Sequence, residues 1–517
     1  YPNLPNMQFV SLVLLFIMPM KVRLAGSPKP RIVYPRLLEE RTSDGRIVIH
    51  VQDDLTLYLR KASVAAPTMR LLTEENGQPF TLFYTGADID RELYEDEEKI
   101  ASVVVTTHIN GVHMEGLVGP QHRIEPMPIS GRELDGAIPH AVYEIVQEES
   151  LDKIAFNKAK PVTDWKLYQE WHTEPQKVPD DVTVEVFFVV DNPHSSRFSS
   201  HEGLLSYLCV MINSVNLRYS TTAFPRIQFL VTGADISKNE SYVDLHPVYK
   251  EYMYDVRTLR NLMGYAFENN QKFGDPDVVY LMTGREVYTV FNGSFKEGQG
   301  ISYVSGICTY SKVALGEDNP GLYSGTYTLA HELGHVLGAE HDGQGPATTG
   351  HPGALSCPWD HGYIMSYVNN GPSHHQFSVC SLKQIQYVVS RAGEACWATK
   401  SAGYVVNGQY PGSLVPSVAF CKGEVADKDA TIDNITVSAT TCKVRCHYYK
   451  PYLWDSGLGY SVTQKYYYYR DFDALDYMSC GGAKVCIQGR CRDNPSMRPS
   501  TAIQCTQLLP KRMGSQM

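Results

Sequence analysis

His331-Glu332-Leu333-Gly334-His335-Val336-Leu337-Gly338-Ala339-Glu340-His341 sets three imidazoles, an intervening carboxylate and two glycines within eleven residues. At helical pitch, residues four apart return to nearly the same face, so His331 and His335 can offer two nitrogens to one ion from a single helix. Glu332, between them, can reach a water held by that ion. Gly338 lets the chain turn out of the helix, because a residue without Cβ accepts backbone angles that others resist, and His341 returns as the third ligand. Three ligands and an open fourth position describe a hydrolytic zinc site rather than a closed structural one. From composition alone this pattern arises by chance with a probability on the order of 10⁻⁴, so unrelated histidines on a solvated helix account for it poorly.

A second piece follows at Tyr363-Ile364-Met365-Ser366-Tyr367. The extended zinc motif followed by a methionine in a tight turn resembles the metzincins, and the resemblance implies that Met365 forms an apolar floor under the three histidines. Asp342, directly after the third histidine, makes the chain similar to the reprolysin or adamalysin branch, the snake-venom and ADAM-type peptidases. The layout as a whole resembles the salivary metalloproteases of ticks, strongly over residues 182–397 and more weakly on either side. The implied fold is an α/β metzincin catalytic domain, with a mixed, largely parallel twisted sheet and flanking helices, plus a β-rich prodomain and a small disulfide-rich C-terminal domain. The implied cofactor is one catalytic Zn2+. Ca2+ is possible in such a chain, but no residue pattern supports a site for it. The resemblance also pairs Cys308 with Cys396 and Cys357 with Cys380. Tyr367 stands where the astacin branch places a tyrosine near the metal; Asp342 argues against that branch, so packing is its expected role. His351, His361, His374 and His375 lack ligand spacing and are expected in loops bordering the cleft.

A chain of 517 residues is long enough for several domains with their own cores. Its net charge of −10 argues against a nucleic-acid or anionic-membrane partner, either of which favours a basic face. All twelve cysteines lie between Cys209 and Cys505, and Cys421, Cys442, Cys446, Cys480, Cys486, Cys491 and Cys505 crowd the last stretch. That density reads as a disulfide-stapled module made in an oxidising compartment; a zinc module would show paired Cys-x-x-Cys knuckles, which are absent. With the two implied bridges set aside, Cys209 is either bridged to another domain or a buried free thiol. Met7 followed by the apolar run Gln8 to Met18 reads as a start residue and a secretion signal ending near Ala25, although no basic residue precedes the run and Lys21 and Arg23 crowd its end. Sequons at Asn239, Asn292 and Asn434 make these glycosylation candidates and fit a secreted chain. No later stretch is long and apolar enough to serve as a membrane anchor.

The expected layout is a signal peptide over 1–25, a prodomain over 26–178, for which the alternative is a stable accessory domain retained in the mature enzyme, the zinc peptidase over 179–397 and a cysteine-rich domain over 398–517. Short apolar strands such as Arg46 to Val51 and Ser102 to Thr107 fill the first part. From Val182 strands and helices alternate: strands at Val182–Val190, Arg226–Thr232 and Val278–Met282, helices at Phe198–Leu217 and Asp255–Asn269, the zinc helix at Gly325–Leu337 and a last helix at Ser381–Arg391. Alternation of this kind implies a largely parallel sheet. Gly306 to Tyr310 is expected on the sheet edge, where a peptide could add as a strand. Many members of the resembled family are silenced by a prodomain cysteine on the zinc; none precedes Cys209, so that device is missing, and no Arg-x-Lys/Arg-Arg site lies between Glu149 and Asp181. The tail's tyrosine runs at 447–452 and 465–470 suit either an adhesive face or hairpin strands on a small core.

The chemistry these readings converge on is peptide hydrolysis: zinc makes hydroxide available near neutral pH, and Glu332 takes a proton from the water and passes it to the leaving amine. The expected product is a secreted zinc endopeptidase acting on extracellular proteins. By family analogy its substrates are host fibrinogen, fibrin or matrix proteins. The rival is a catalytically silent binding protein that captures a host ligand through its tail.

Overall fold

A computed structural model describes residues 29–145, 174–398 and 417–493, less the stretches 40–41, 43–45, 76–77, 109–110, 128–137, 347–349, 456–460, 475–477 and 488–489 and the single residues 292, 367 and 426. The signal stretch 1–25, Asn292, Tyr367 and Cys505 therefore lie outside the described residues.

The elements that position the site are, in chain order, strands β1 (Ala65–Glu75), β2 (Gln78–Thr85) and β3 (Asp181–Val190), helix α1 (His201–Arg218), strand β4 (Arg226–Asp235), helix α2 (Asp255–Glu268), strands β5 (Val278–Thr283), β6 (Gly300–Ser302) and β7 (Val313–Glu317), and helices α3 (Thr326–Val336) and α4 (Val379–Ala392). The seven strands form one sheet in the order β6-β7-β5-β3-β4-β1-β2. β3 is an almost unbroken apolar run, as a strand covered on both faces requires, and it lies parallel to both β4 and β5. β7 continues the parallel set beside β5, while β6 runs antiparallel to β7 and closes one edge. The sheet is thus mixed and largely parallel. β7 and the short strands Tyr252–Tyr254, Glu286–Phe291 and Ser294–Gly298 have no counterpart in the sequence reading.

The edge differs from expectation. Gly306 to Tyr310 is a series of turns, not a strand; the edge strand is Gly300–Ser302, a few residues earlier. Ser305 and Cys308 hold positive φ (63° and 55°), which no continuous strand tolerates, and Cys308 is bridged to Cys396 beside the end of α4.

The far edge holds a second finding. β1 and β2 come from the segment 26–178, yet β1 pairs parallel with β4 and β2 pairs antiparallel with β1. The division at 178/179 thus crosses a shared sheet. Nine other strands between Arg31 and Glu144 form a separate antiparallel-rich sheet with its own apolar core. That sheet packs on α1, whose Ser200 N-cap accepts a hydrogen bond from Gly203 N (3.0 Å). Helix α1 is buried on nearly every side because the seven-stranded sheet covers one face and the N-terminal strands cover the other: Ser102 Oγ donates to Val210 O (2.9 Å), and Arg218 Nη2 donates to Pro120 O (3.3 Å). Cys209, in the middle of α1, is a buried free thiol whose pKa is raised by burial and then by the nearby Asp90 charge.

Residues 417–493 form a small unit: a helix at Ser417–Val425, a three-stranded sheet of β8 (Thr431–Val437), β9 (Lys443–Asp455) and β10 (Ser461–Asp473), and a smaller sheet of three short strands. Bridges Cys421–Cys446, Cys442–Cys486 and Cys480–Cys491 staple it around a modest core. The tyrosine runs are ladder partners, with Tyr448 opposite Tyr468 and Tyr449 opposite Tyr467. Tyr448 is buried in the core while Tyr466 to Tyr469 are exposed, so one hairpin provides both the packing and the aromatic surface.

Candidate metal centre

Helix α3 runs through the interior, with His331, Glu332 and His335 each at most 3 % exposed. Gly338 has φ 105°, and a Cβ there would lie 2.2 Å from Val388 Cγ2 on α4. Glycine therefore permits both the turn out of α3 and the approach of α4, and the chain doubles back to bring His341 over the helix.

The three rings have defined orientations. His331 Nδ1 lies 2.7 Å from Ile364 O, and His335 Nδ1 lies 2.6 Å from Ala339 O. A carbonyl only accepts, so both Nδ1 atoms carry hydrogen and both Nε2 atoms present lone pairs. These point at one spot: His341 Nε2 is 3.2 Å from His331 Nε2 and 3.1 Å from His335 Nε2. Two ring lone pairs gathered with a third imidazole nitrogen in a buried site make a donor set for a cation, and imidazole nitrogens suit zinc. The trio is a group able to hold a metal ion, and its donor set fits one.

The surroundings fix the trio and the carboxylate beside it. Met365 is fully buried, and a Cβ on Gly334 of α3 would lie 2.9 Å from its sulfur, so the methionine reaches the helix where a side chain is missing. Tyr327 Oη donates to Ile364 O (2.8 Å) and lies 3.0 Å from Ser366 O, tying the same turn to α3. Asp342 N donates to Met365 O (2.9 Å). The Asp342 carboxyl accepts from Ser378 Oγ (2.6 Å) at the start of α4; burial pushes it up to about 6 against the pull of Ser378 and Ser381.

Sequence reasoning missed the seat of Glu332. Ser302 Oγ, on edge strand β6, donates to Glu332 Oε2 (2.6 Å). Two residues back on the same face, a Cβ on Gly300 would lie 2.7 Å from Glu332 Oε1. A glycine and a hydroxyl at alternate positions, Gly300-Ile301-Ser302, are the signal, but it gains meaning only once the strand is known to border α3.

His374 and His375, expected in a loop lining or bordering the cleft, lie in a short turn close to the histidine trio. They are buried in the turn Gly371–His375, with the His374 ring stacked 4.1 Å from that of Tyr327. His351 is buried against Tyr387, and His361 is exposed. The structure joins Cys308 to Cys396 and Cys357 to Cys380. Asn239 and Asn434 are exposed. Among the described residues no helix is long and apolar enough to cross a membrane.

Residues 180–378 match the profile of metallo-peptidase family M12, reprolysin type. A venom metalloproteinase of Olivierus martensii is 27 % identical over 371 residues, covering 70 % of this chain and 90 % of that protein. An antarease-like venom metalloproteinase of Tityus serrulatus is 30 % identical over 234 residues, 42 % of this chain and 97 % of its own length. The zinc metalloproteinase-disintegrin-like atrase-A of Naja atra is 25 % identical over 445 residues, 81 % of this chain and 65 % of that protein.

Proposed function

Because this chain belongs to metallo-peptidase family M12, reprolysin type, and is a metalloendopeptidase, we propose that it is secreted and cleaves extracellular proteins at the His331, His335 and His341 centre, with Glu332 as the proton-transferring residue. The observation that carries this reading is the convergence of three Nε2 atoms, with that of His341 3.2 Å from His331 and 3.1 Å from His335, beside a buried carboxylate. Zinc bound there would supply Lewis acidity, lowering the pKa of a coordinated water toward about 7 and polarising the scissile carbonyl. Glu332 accepts the attacking water's proton and delivers it to the departing amine. Ser302 holds one oxygen of that carboxylate in place. An extended substrate lies along β6, the edge strand that already borders Glu332, so backbone pairing aligns the scissile bond.

The proposed organisation has a signal peptide at 1–25, a prodomain at 26–178, the peptidase at 179–397 and the cysteine-rich tail at 398–517. Secretion is supported by the three tail bridges and by similarity to venom proteins. Haemostatic or matrix substrates, with fibrinogen and fibrin first, are proposed on family analogy alone. The test is incubation of purified full chain with fibrinogen and gelatin, with and without a zinc chelator, beside Glu332→Gln. Cleavage that needs both the metal and Glu332 is expected; zinc-loaded protein that cleaves neither substrate would remove the substrate assignment.

A further inference from the structure

We infer that residues 29–145 stay bound to the peptidase unit after the chain joining them is cut, so that they form a lasting second piece of the enzyme and not a detachable cover. The first argument is strand pairing. β1 supplies the neighbour of β4 at the edge, with Gly233 opposite Arg70, Ala234 opposite Leu71 and Asp235 opposite Leu72. Val231 N also donates to Val64 O (2.8 Å) and Ile236 N to Leu72 O (2.9 Å). Removing β1 would bare the main-chain groups of a strand that lies inside the sheet.

The second argument is the core. Ala66, Met69, Leu71 and Leu117 are completely buried, and they belong to the same apolar cluster as α1 and α3 rather than to the N-terminal sheet's own core. A cover that leaves cleanly keeps its apolar surface on its own side; this one shares it.

The third argument is shape. The peptidase unit has glycine where the N-terminal segment passes closest. A Cβ on Gly233 would lie 2.1 Å from Arg70 O, and one on Gly274 would lie 1.4 Å from Arg70 Nη1. Polar groups follow suit: Arg218, 2 % exposed, donates to Pro120 O, and Asn213 Nδ2 donates to Ser102 Oγ (3.2 Å). Departure of residues 29–145 would strip these partners from buried donors.

The place of attachment is compatible with a working enzyme. β1 and β2 sit at the opposite end of the sheet from β6, with β4, β3, β5 and β7 between. Nothing in this docking depends on filling the metal centre.

The test places a specific protease site within 146–173 of the full-length Glu332→Gln chain, cuts it, and passes the product through a sizing column in physiological buffer and in 1 M salt. Both pieces are expected in one peak at the mass of the uncut chain, melting in one transition. Separate peaks, or a soluble N-terminal piece with the larger piece precipitated, would overturn the inference. Elution, not hydrolysis, is the readout, so this result stands apart from the fate of the peptidase assignment.

Discussion

Glu332, on helix α3, is seated by a hydroxyl from strand β6, and that contact separates positioning from chemistry. Replacing the carboxylate by Glu332→Gln should leave one bound zinc per chain while lowering kcat by roughly 10³-fold or more; metal analysis beside a peptide assay checks both halves. Ser302→Ala acts differently. It keeps Glu332 and the three imidazoles but frees a carboxylate oxygen, so kcat should fall roughly tenfold, the worth of one hydrogen bond to a charged group, with KM and zinc content little changed. Ser302→Thr, which retains the hydroxyl, should recover much of the loss. Equal kcat for Ser302→Ala and wild type would show that the contact does not orient the base.

Among the elements, the turn Gly371–His375 carries a pH dependence. Burial, with the Arg218 charge behind it, holds His374 down to about 4 and His375 down to about 3, against an ordinary value of 6.5. Below pH 6.5 the unfolded chain takes up protons that the folded turn refuses. The stability these residues contribute is therefore complete above pH 6.5 and drains away toward pH 4, by up to about 1.4 kcal/mol per pH unit for each. Thermal melts from pH 7.5 to 4.5 should show a steeper loss for wild type than for His375→Asn. The same elements show where the sequence was legible. His331 and His335 declare themselves because their relation is one helical turn, whereas the last helix, expected at Ser381–Arg391, begins at Val379 behind Ser378, whose Oγ accepts from Ser381 N. The burial of His374 depends on Tyr327, far away in the chain, and the edge expected at Gly306 to Tyr310 is broken by turns, with Cys308 and the preceding Ser305 at positive φ. Periodicity reports what a residue's neighbours along the chain require; it is silent on which strand comes to lie beside it.

For the whole molecule, two kinds of reinforcement coexist. The peptidase unit and the N-terminal strands rest on a large common core, whereas the tail has a small core and three bridges within residues 421–491. Mild reductant should therefore unfold the tail first, seen as loss of tyrosine near-ultraviolet signal, while the bulk of the secondary structure persists. Chelation should lower the main melting transition without abolishing it, because metal binding stabilises the native state only by its linkage term. A single coincident collapse under either treatment would contradict this division. The pairing of β1 with β4 also marks the limit of reading at this scale: a composition change near residue 180 suggests a boundary, yet the strand that completes the sheet comes from more than a hundred residues before it.

The orienting partners of His331 and His335 are main-chain carbonyls, of Ile364 and Ala339. A carbonyl cannot be deleted by substitution, does not titrate, and has the same chemistry whatever residue bears it. Two of the three rings are thereby placed beyond the reach of point mutation in their supports, and variation in this lineage's reactivity has to enter elsewhere, most directly through the serine and glycine that cradle the carboxylate.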